Sequence, residues 1–208
     1  VIALVVNNAV ADSASAGDEV SVFLDKTPFY AESGGQVGDN GIIKTEMGTV
    51  EVTDCIKVIG GKIAHIGTVS EGSISVGDSA AAEIDRVRRL STSRNHSATH
   101  LLQKALRTVL GTHVEQAGSY VTPDRLRFDF THFAAMTPEE IQQVEDIVNE
   151  KILESLPISA TQESIEDARK LGAMALFGEK YGNIVRVVNM GGYSIELCGG
   201  AHLDNTAQ

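Results

Sequence analysis

The sequence predicts an α+β protein: short strands forming a small β-barrel or sandwich, followed by a sheet with helices packed on it. Three observations lead there. The first third alternates apolar and polar residues between turn residues, which is the period of strands. The character changes at DRVRRL, around residue 86, where segments of helical length and periodicity begin. Beyond that point helices and strands are mixed rather than strictly alternating, which favours helices packed on a sheet over a doubly wound fold. With 208 residues, 42% of them apolar, the chain can bury a sizeable core and is long enough for two domains, placed at 1–88 and 89–208.

Taken in order, VSVFLD (20–25), GTVEVTDCIKVIG (48–60), KIAHIGTVS (62–70) and DSAAAEID (78–85) read as strands, with SAGDE, GGK, SEGS and SVGD as turns. Among them TPFYAESGGQVGDNG (27–41) carries Gly34, Gly35, Gly38 and Gly41. It reads as a wide loop or as a surface that approaches a partner's backbone closely. A helix is expected from about Ser91 to Leu110, with Ser91 or Thr92 as N-cap and Gly111 as its stop. GSYV and RLRFDF form a hairpin through Thr122, Pro123 and Asp124. TPEEIQQVEDIVNEKILESLP is the best helix signal in the chain: Thr137 caps it, Pro138 takes the first turn, Glu140 completes a capping box and Pro157 ends it. ISATQ is a short strand, Ser164 caps the helix IEDARKLG, and IVRVVNMGG with YSIELCGGAH gives two strands joined by a glycine turn.

The totals exclude several classes. No apolar run is long enough to span a bilayer, and no charged-then-apolar signal opens the chain. Two cysteines, Cys55 and Cys198, are too few for a disulfide framework, so a reduced, cytoplasmic setting is expected. The chain starts at Val1 rather than Met, which reads as a piece of something longer. A net charge of -11 argues against nucleic acid, but its distribution does not. Between residues 86 and 114 the charged side chains are Arg86, Arg88, Arg89, Arg94, Lys104 and Arg107, with no acid among them. One positive segment on an acidic protein suits a phosphate backbone, although helix charges that bind nothing look the same.

That segment also contains RNHSATHLL. His96 and His100 are four apart, so on a helix they lie one above the other and can grip one object together. Cys198 and His202 are also four apart, with glycines between them, on a turn. Each pair alone is a weak signal. Together they make a His₃Cys set, whose nitrogen and sulfur donors suit Zn²⁺. His65, His113 and His132 have no partner at ligand spacing and read as ordinary residues. The residues between His96 and His100 are Ser97, Ala98 and Thr99, so the glutamate base of a zinc protease is missing.

HSATHLLQKAL, followed about a hundred residues later by LCGGAH, resembles the editing domain of alanyl-tRNA synthetases, and free-standing alanyl-tRNA editing proteins are similar. FYAESGGQVGDNG resembles the glycine-rich segment that precedes that domain; GTHVEQAGSYV, RLRFDF and GAMALFGEKYG fit the same pattern. The resemblance implies a small N-terminal β-barrel followed by a two-layer α/β editing domain with a zinc site. It implies deacylation of Ser-tRNA(Ala) and Gly-tRNA(Ala), with one Zn²⁺ held by His96, His100, Cys198 and His202, and Gln116 as the pocket glutamine. The partners it implies are the acceptor end of tRNA(Ala), met by Arg86, Arg88, Arg89 and Arg94, and the remainder of a parent synthetase whose ATP site is not in this chain. No membrane partner is expected. Two alternatives stay open: a non-catalytic tRNA-binding module stabilised by zinc, and a threonyl-type editing domain, whose family carries related HxxxH and CxxxH motifs.

Overall fold

Eight strands make the first of two compact units, Val1–Arg89 and Leu90–Gln208. The structure is a computed structural model and describes residues 1–174 and 182–208. The strands are β1 (Ala3–Val6), β2 (Ala9–Ala11), β3 (Ser13–Ser15), β4 (Glu19–Phe23), β5 (Gly41–Lys44), β6 (Gly48–Lys57), β7 (Ile63–Ser75) and β8 (Ala81–Ile84). Their order is β2-β1-β4-β7-β6-β5-β8, every pair is antiparallel, and β3 pairs the far end of β7 through Ser13↔Ser75. Alternation sends Leu4, Val20, Val22, Ile43, Val50 and Val69 into one core. Val52 and Cys55 are both buried although they are three apart, because a bulge between Val52 and Asp54 reverses the side-chain parity of β6.

The barrel expected for this region is an antiparallel sheet around a single core, with β2 and β8 at the ends of its strand order. Among the described residues no ladder joins β8 to β2. Alternation tells which face of a strand is apolar, not which edges meet, so closure was not readable from it. The glycine-rich segment also differs from its functional reading. Phe29, Ala31, Gln36 and Asp39 are buried within the unit, and a Cβ on Gly38 would fall 2.5 Å from Cys55 O and 2.7 Å from Cys55 N. The close backbone approach is made to the protein's own β6.

The first helix, α1 (Arg86–Leu110), begins five residues before Ser91. Its start is set by Asp85, whose Oδ1 accepts the Arg88 N–H at 2.9 Å while its carbonyl accepts from Arg89 N at 2.9 Å. Ser91 and Thr92 are interior. Gly111, at φ +115°, ends the helix as expected. The hairpin β9 (Gln116–Val121) and β10 (Leu126–Phe130) follows, its turn held by Thr122 Oγ1, which accepts from Arg125 N. In α2 (Pro138–Leu153) the Thr137 and Glu140 capping box is present with both of its bonds. Ser164 caps α3 (Ile165–Lys170) by accepting from Asp167 N. Strands β11 (Ile158–Ser164), β12 (Ile184–Met190) and β13 (Ser194–Leu197) form a three-stranded antiparallel sheet. Leu101 of α1 packs with Val188 and Met190 of that sheet and with Val148 and Ile152 of α2. The fold is therefore mixed α and β, with its strands in antiparallel sheets. Most of the GAMALFGEKYG stretch lies outside the described residues. No described helix is long and apolar enough to cross a membrane.

Candidate metal centre

Helix α1 is buried on more than one side: Leu101 and Ala105 are buried on one, and His96 and His100 on the side roughly opposite. Their rings stack 5.4 Å apart at 17°, the arrangement expected of residues one helical turn apart. Facing them is the turn after β13. Its shape is fixed by Arg186 of the neighbouring β12, whose Nη1 donates to Cys198 O at 2.9 Å and to Gly200 O at 2.8 Å. Cys198 Sγ thus lies 3.4 Å from His96 Nε2 and 3.2 Å from His202 Nε2. The His202 ring sits 4.5 Å from that of His96 and 4.8 Å from that of His100.

All four donor atoms fall within 4.8 Å of one another. Zinc bonds to nitrogen and sulfur imply donor–donor edges of ~3.5 Å in a tetrahedral site. The two Sγ–Nε2 separations already match that edge, so the residues fit a Zn²⁺-sized ion. Outer contacts orient the ligands as metal-binding imidazoles require. His100 Nδ1 lies 2.7 Å from Glu196 Oε2, and His202 Nδ1 lies 3.2 Å from Ser97 Oγ. Hydrogens placed on those two nitrogens leave the Nε2 atoms as ligands. Leu203 N–H donates to the same Ser97 oxygen, tying the end of the turn back to α1.

Burial alone would raise the Cys198 thiol, but hydrogen bonds from His100, His202 and His96 outweigh it and bring it down to about 2. The sulfur is a thiolate, the form that binds metals. Burial pulls on His100 in the other direction; the Glu196 carboxylate and Cys198 overcome it and lift the imidazole to about 10. His202, where burial dominates, falls to about 4.

Gln116 opens β9, half-buried, and among the described residues its amide makes no hydrogen bond to the four. Gly118 pairs with Asp129, yet Gln116 pairs with Phe130, so Ala117 is an extra residue in the ladder. That bulge turns Gln116 to the side of Phe130, away from the parity of Gly118. Arg86 and Arg94 are exposed, and Arg94 Nε donates to Gln208 O at 2.7 Å. Arg88 is half-buried. Arg89 is engaged within the first unit: it forms an ion pair with Asp39 and its Nη2 donates to Pro28 O at 3.1 Å. His113 and His132, unpaired in sequence, hydrogen-bond each other at 2.9 Å, with Phe133 stacked on His113. Glu196, Ser97 and Arg186 were not singled out by sequence. For Glu196 the available signal was its place on the strand that ends just before Cys198.

Fold and site together define a mixed α/β protein with a partly buried nitrogen–sulfur constellation able to hold a metal. Residues 1–88 match the family described as tRNA synthetases class II (A), and residues 185–208, which carry Cys198 and His202, match the threonyl and alanyl tRNA synthetase second additional domain. Over all 208 residues the chain is 61% identical to the alanine–tRNA ligase of Acetivibrio thermocellus and 53% identical to that of Bacillus velezensis, covering 24% of each protein. It is 55% identical over 206 residues to the alanine–tRNA ligase of a Thermoanaerobacter species, covering 23% of it. The chain is a relative of alanine–tRNA ligases and spans about a quarter of the length of these curated relatives.

Proposed function

We propose that this chain hydrolyses the ester of mischarged tRNA, Ser-tRNA(Ala) and Gly-tRNA(Ala), as the editing segment of an alanine–tRNA ligase. The observation that carries the reading is the convergence of His96, His100, Cys198 and His202 in a chain that aligns along its whole length with such ligases. The need is physical. A pocket selecting a small side chain discriminates poorly against glycine or an added hydroxyl, so mistakes must be cleaved at a second site.

His96, His100, Cys198 and His202 would hold Zn²⁺, which when bound supplies a positive centre able to orient the substrate's amino group or polarise its carbonyl. Gln116 contributes an amide that both donates and accepts, suited to the seryl hydroxyl or the ester. Its bulged position sets which face of the hairpin ribbon it serves. Buried Leu101 and Met190 help keep this region dry. Arg86, Arg88 and Arg94 on α1 would meet phosphates of the acceptor end. Arg89, already paired with Asp39, is the weakest of the four in that role. The rest of the parent ligase would supply further grip on the tRNA.

One observation favours a second reading. Four protein ligands close a tetrahedral shell, the pattern of structural zinc, so the segment could bind tRNA without cleaving it. The threonyl-type alternative draws on the shared domain description, whereas the three alignments given above, each spanning at least 206 residues of this chain, are to alanine–tRNA ligases and support the alanyl form. Hydrolysis of Ser-tRNA(Ala), with Ala-tRNA(Ala) as control, before and after metal removal, separates them. Cleavage of the seryl ester alone, lost with the metal, supports editing. A folded, metal-loaded chain that binds the tRNA and leaves the ester intact sinks it.

A further inference from the structure

Glu196 is 3% exposed, and its two oxygens have different partners. Oε2 lies 2.7 Å from His100 Nδ1, while Oε1 accepts the Ser194 hydroxyl at 2.6 Å. Ser194 is itself 3% exposed and stands two residues before Glu196 on β13, on the same face of the strand. The carboxylate is thus held from one side and aims at one ring nitrogen of a ligand on the other. A buried carboxylate is unfavourable unless a positive charge compensates it. Three neutral imidazoles and one thiolate around a divalent ion carry one net positive charge. Glu196 brings that total to zero inside a desolvated site.

We propose that Glu196 is the positioning residue of the metal centre: it fixes His100 through Nδ1–H so that Nε2 serves the ion, and it supplies the second negative charge that matches the site to a divalent cation. This role exists only if the four side chains bind a metal as read above. It goes further by naming a group outside the ligand set that controls affinity and ligand geometry. A purely structural buried carboxylate would change stability but would leave the spectrum of a bound ion alone.

The test uses the 208-residue chain with Zn²⁺ and Co²⁺. Affinity is read by chelator competition, and ligand geometry by the Co²⁺ visible bands and the thiolate-to-Co²⁺ charge-transfer band. Glu196→Ala is expected to weaken Zn²⁺ binding by about 10–100-fold, the usual effect of removing such a partner, and to alter the visible bands as His100 loosens. The charge-transfer band persists, because Cys198 is untouched. Glu196→Gln keeps an acceptor facing Nδ1–H, so it retains the wild-type spectrum while losing part of the affinity. Should Glu196→Ala fail to fold, Ser194→Ala removes only the hydrogen bond on Oε1 and is expected to shift the bands in the same direction with a smaller loss. Wild-type affinity and spectrum in every folded variant overturn the proposal. Wild-type protein that takes up no Co²⁺ with a thiolate band overturns the metal reading and this role with it, and that one sample tells the two failures apart.

Discussion

Asp39 in the first unit, buried, and Cys198 in the second, half-buried, are both acidic groups faced by nitrogen donors, and they are arranged to opposite ends. Asp39 accepts from the Tyr30 N–H and from two nitrogens of Arg89, and one cation answers one anion. Around Cys198 three imidazoles converge, with Glu196 behind one of them, and the donor atoms point at one another. A self-neutralising pair holds structure. A ring of donors facing inward has capacity left for an ion. His65 makes the same point among histidines: both its nitrogens are engaged, by Val22 O at 2.8 Å and Thr27 Oγ1 at 2.7 Å, so it is a satisfied core residue.

The largest effect expected from breaking this contrast is on the second unit. Replacing His96 or Cys198 by alanine should lower Zn²⁺ affinity by more than about 100-fold, beyond what outer-sphere changes cost. Chelator competition reads it, and the unfolding of the first unit should be unchanged. Retained tight binding in both variants would remove the metal centre. Next comes Arg89→Ala, which leaves the buried Asp39 carboxylate uncompensated. Because the guanidinium is 25% exposed, about 3 kcal/mol, the low end for such a break, is expected in urea unfolding. Metal stoichiometry should not move, and the double variant with Asp39→Ala should recover part of the loss.

Two smaller effects sharpen the comparison. Burial lowers the His65 imidazole, so its folded value lies below its unfolded one. Its contribution to stability is then fully present above the ordinary value near 6.5 and lost as pH falls through the folded value. The urea midpoint of the first unit should drop between pH 7 and pH 5, and His65→Asn should flatten that slope. For tRNA binding, Arg86→Ala and Arg94→Ala should each reduce the salt slope of log affinity by about one, while Arg89→Ala leaves it alone. Equal slopes in all three would take α1 out of the interface.

What could be read from sequence was local. His96 and His100 declare themselves by spacing, and Thr137, Pro138 and Glu140 by a capping pattern complete within four residues. The hairpin is marked by the turn residues around Thr122. The start of α1 was missed because Asp85 ends a strand-like run and no apolar period announces the helix before Ser91. Strands β1, β2, β3 and β5 are three or four residues long, too short to show an alternation. Glu196, Ser97 and Arg186 act through contacts across many residues of chain, which no spacing rule reports. Closure of the first sheet belongs to that non-local class as well.

The smallest expected effect separates two glycine motifs that look alike. Gly38, in SGGQVG, sits against the backbone of Cys55, so Gly38→Ala should destabilise the first unit by about 1–3 kcal/mol through overpacking. Gly199, in LCGGAH, is exposed; a Cβ there meets nothing within 4 Å, and its φ is not among the positive ones. Gly199→Ala should therefore change metal affinity by no more than about twofold, the usual range for a surface substitution. The turn keeps its shape because Arg186 holds the carbonyls of Cys198 and Gly200, not because its backbone needs glycine conformations at residue 199. A large loss in Gly199→Ala would mean that the loaded turn adopts a different backbone from the one described, and the ligand geometry would have to be redrawn from that residue outward.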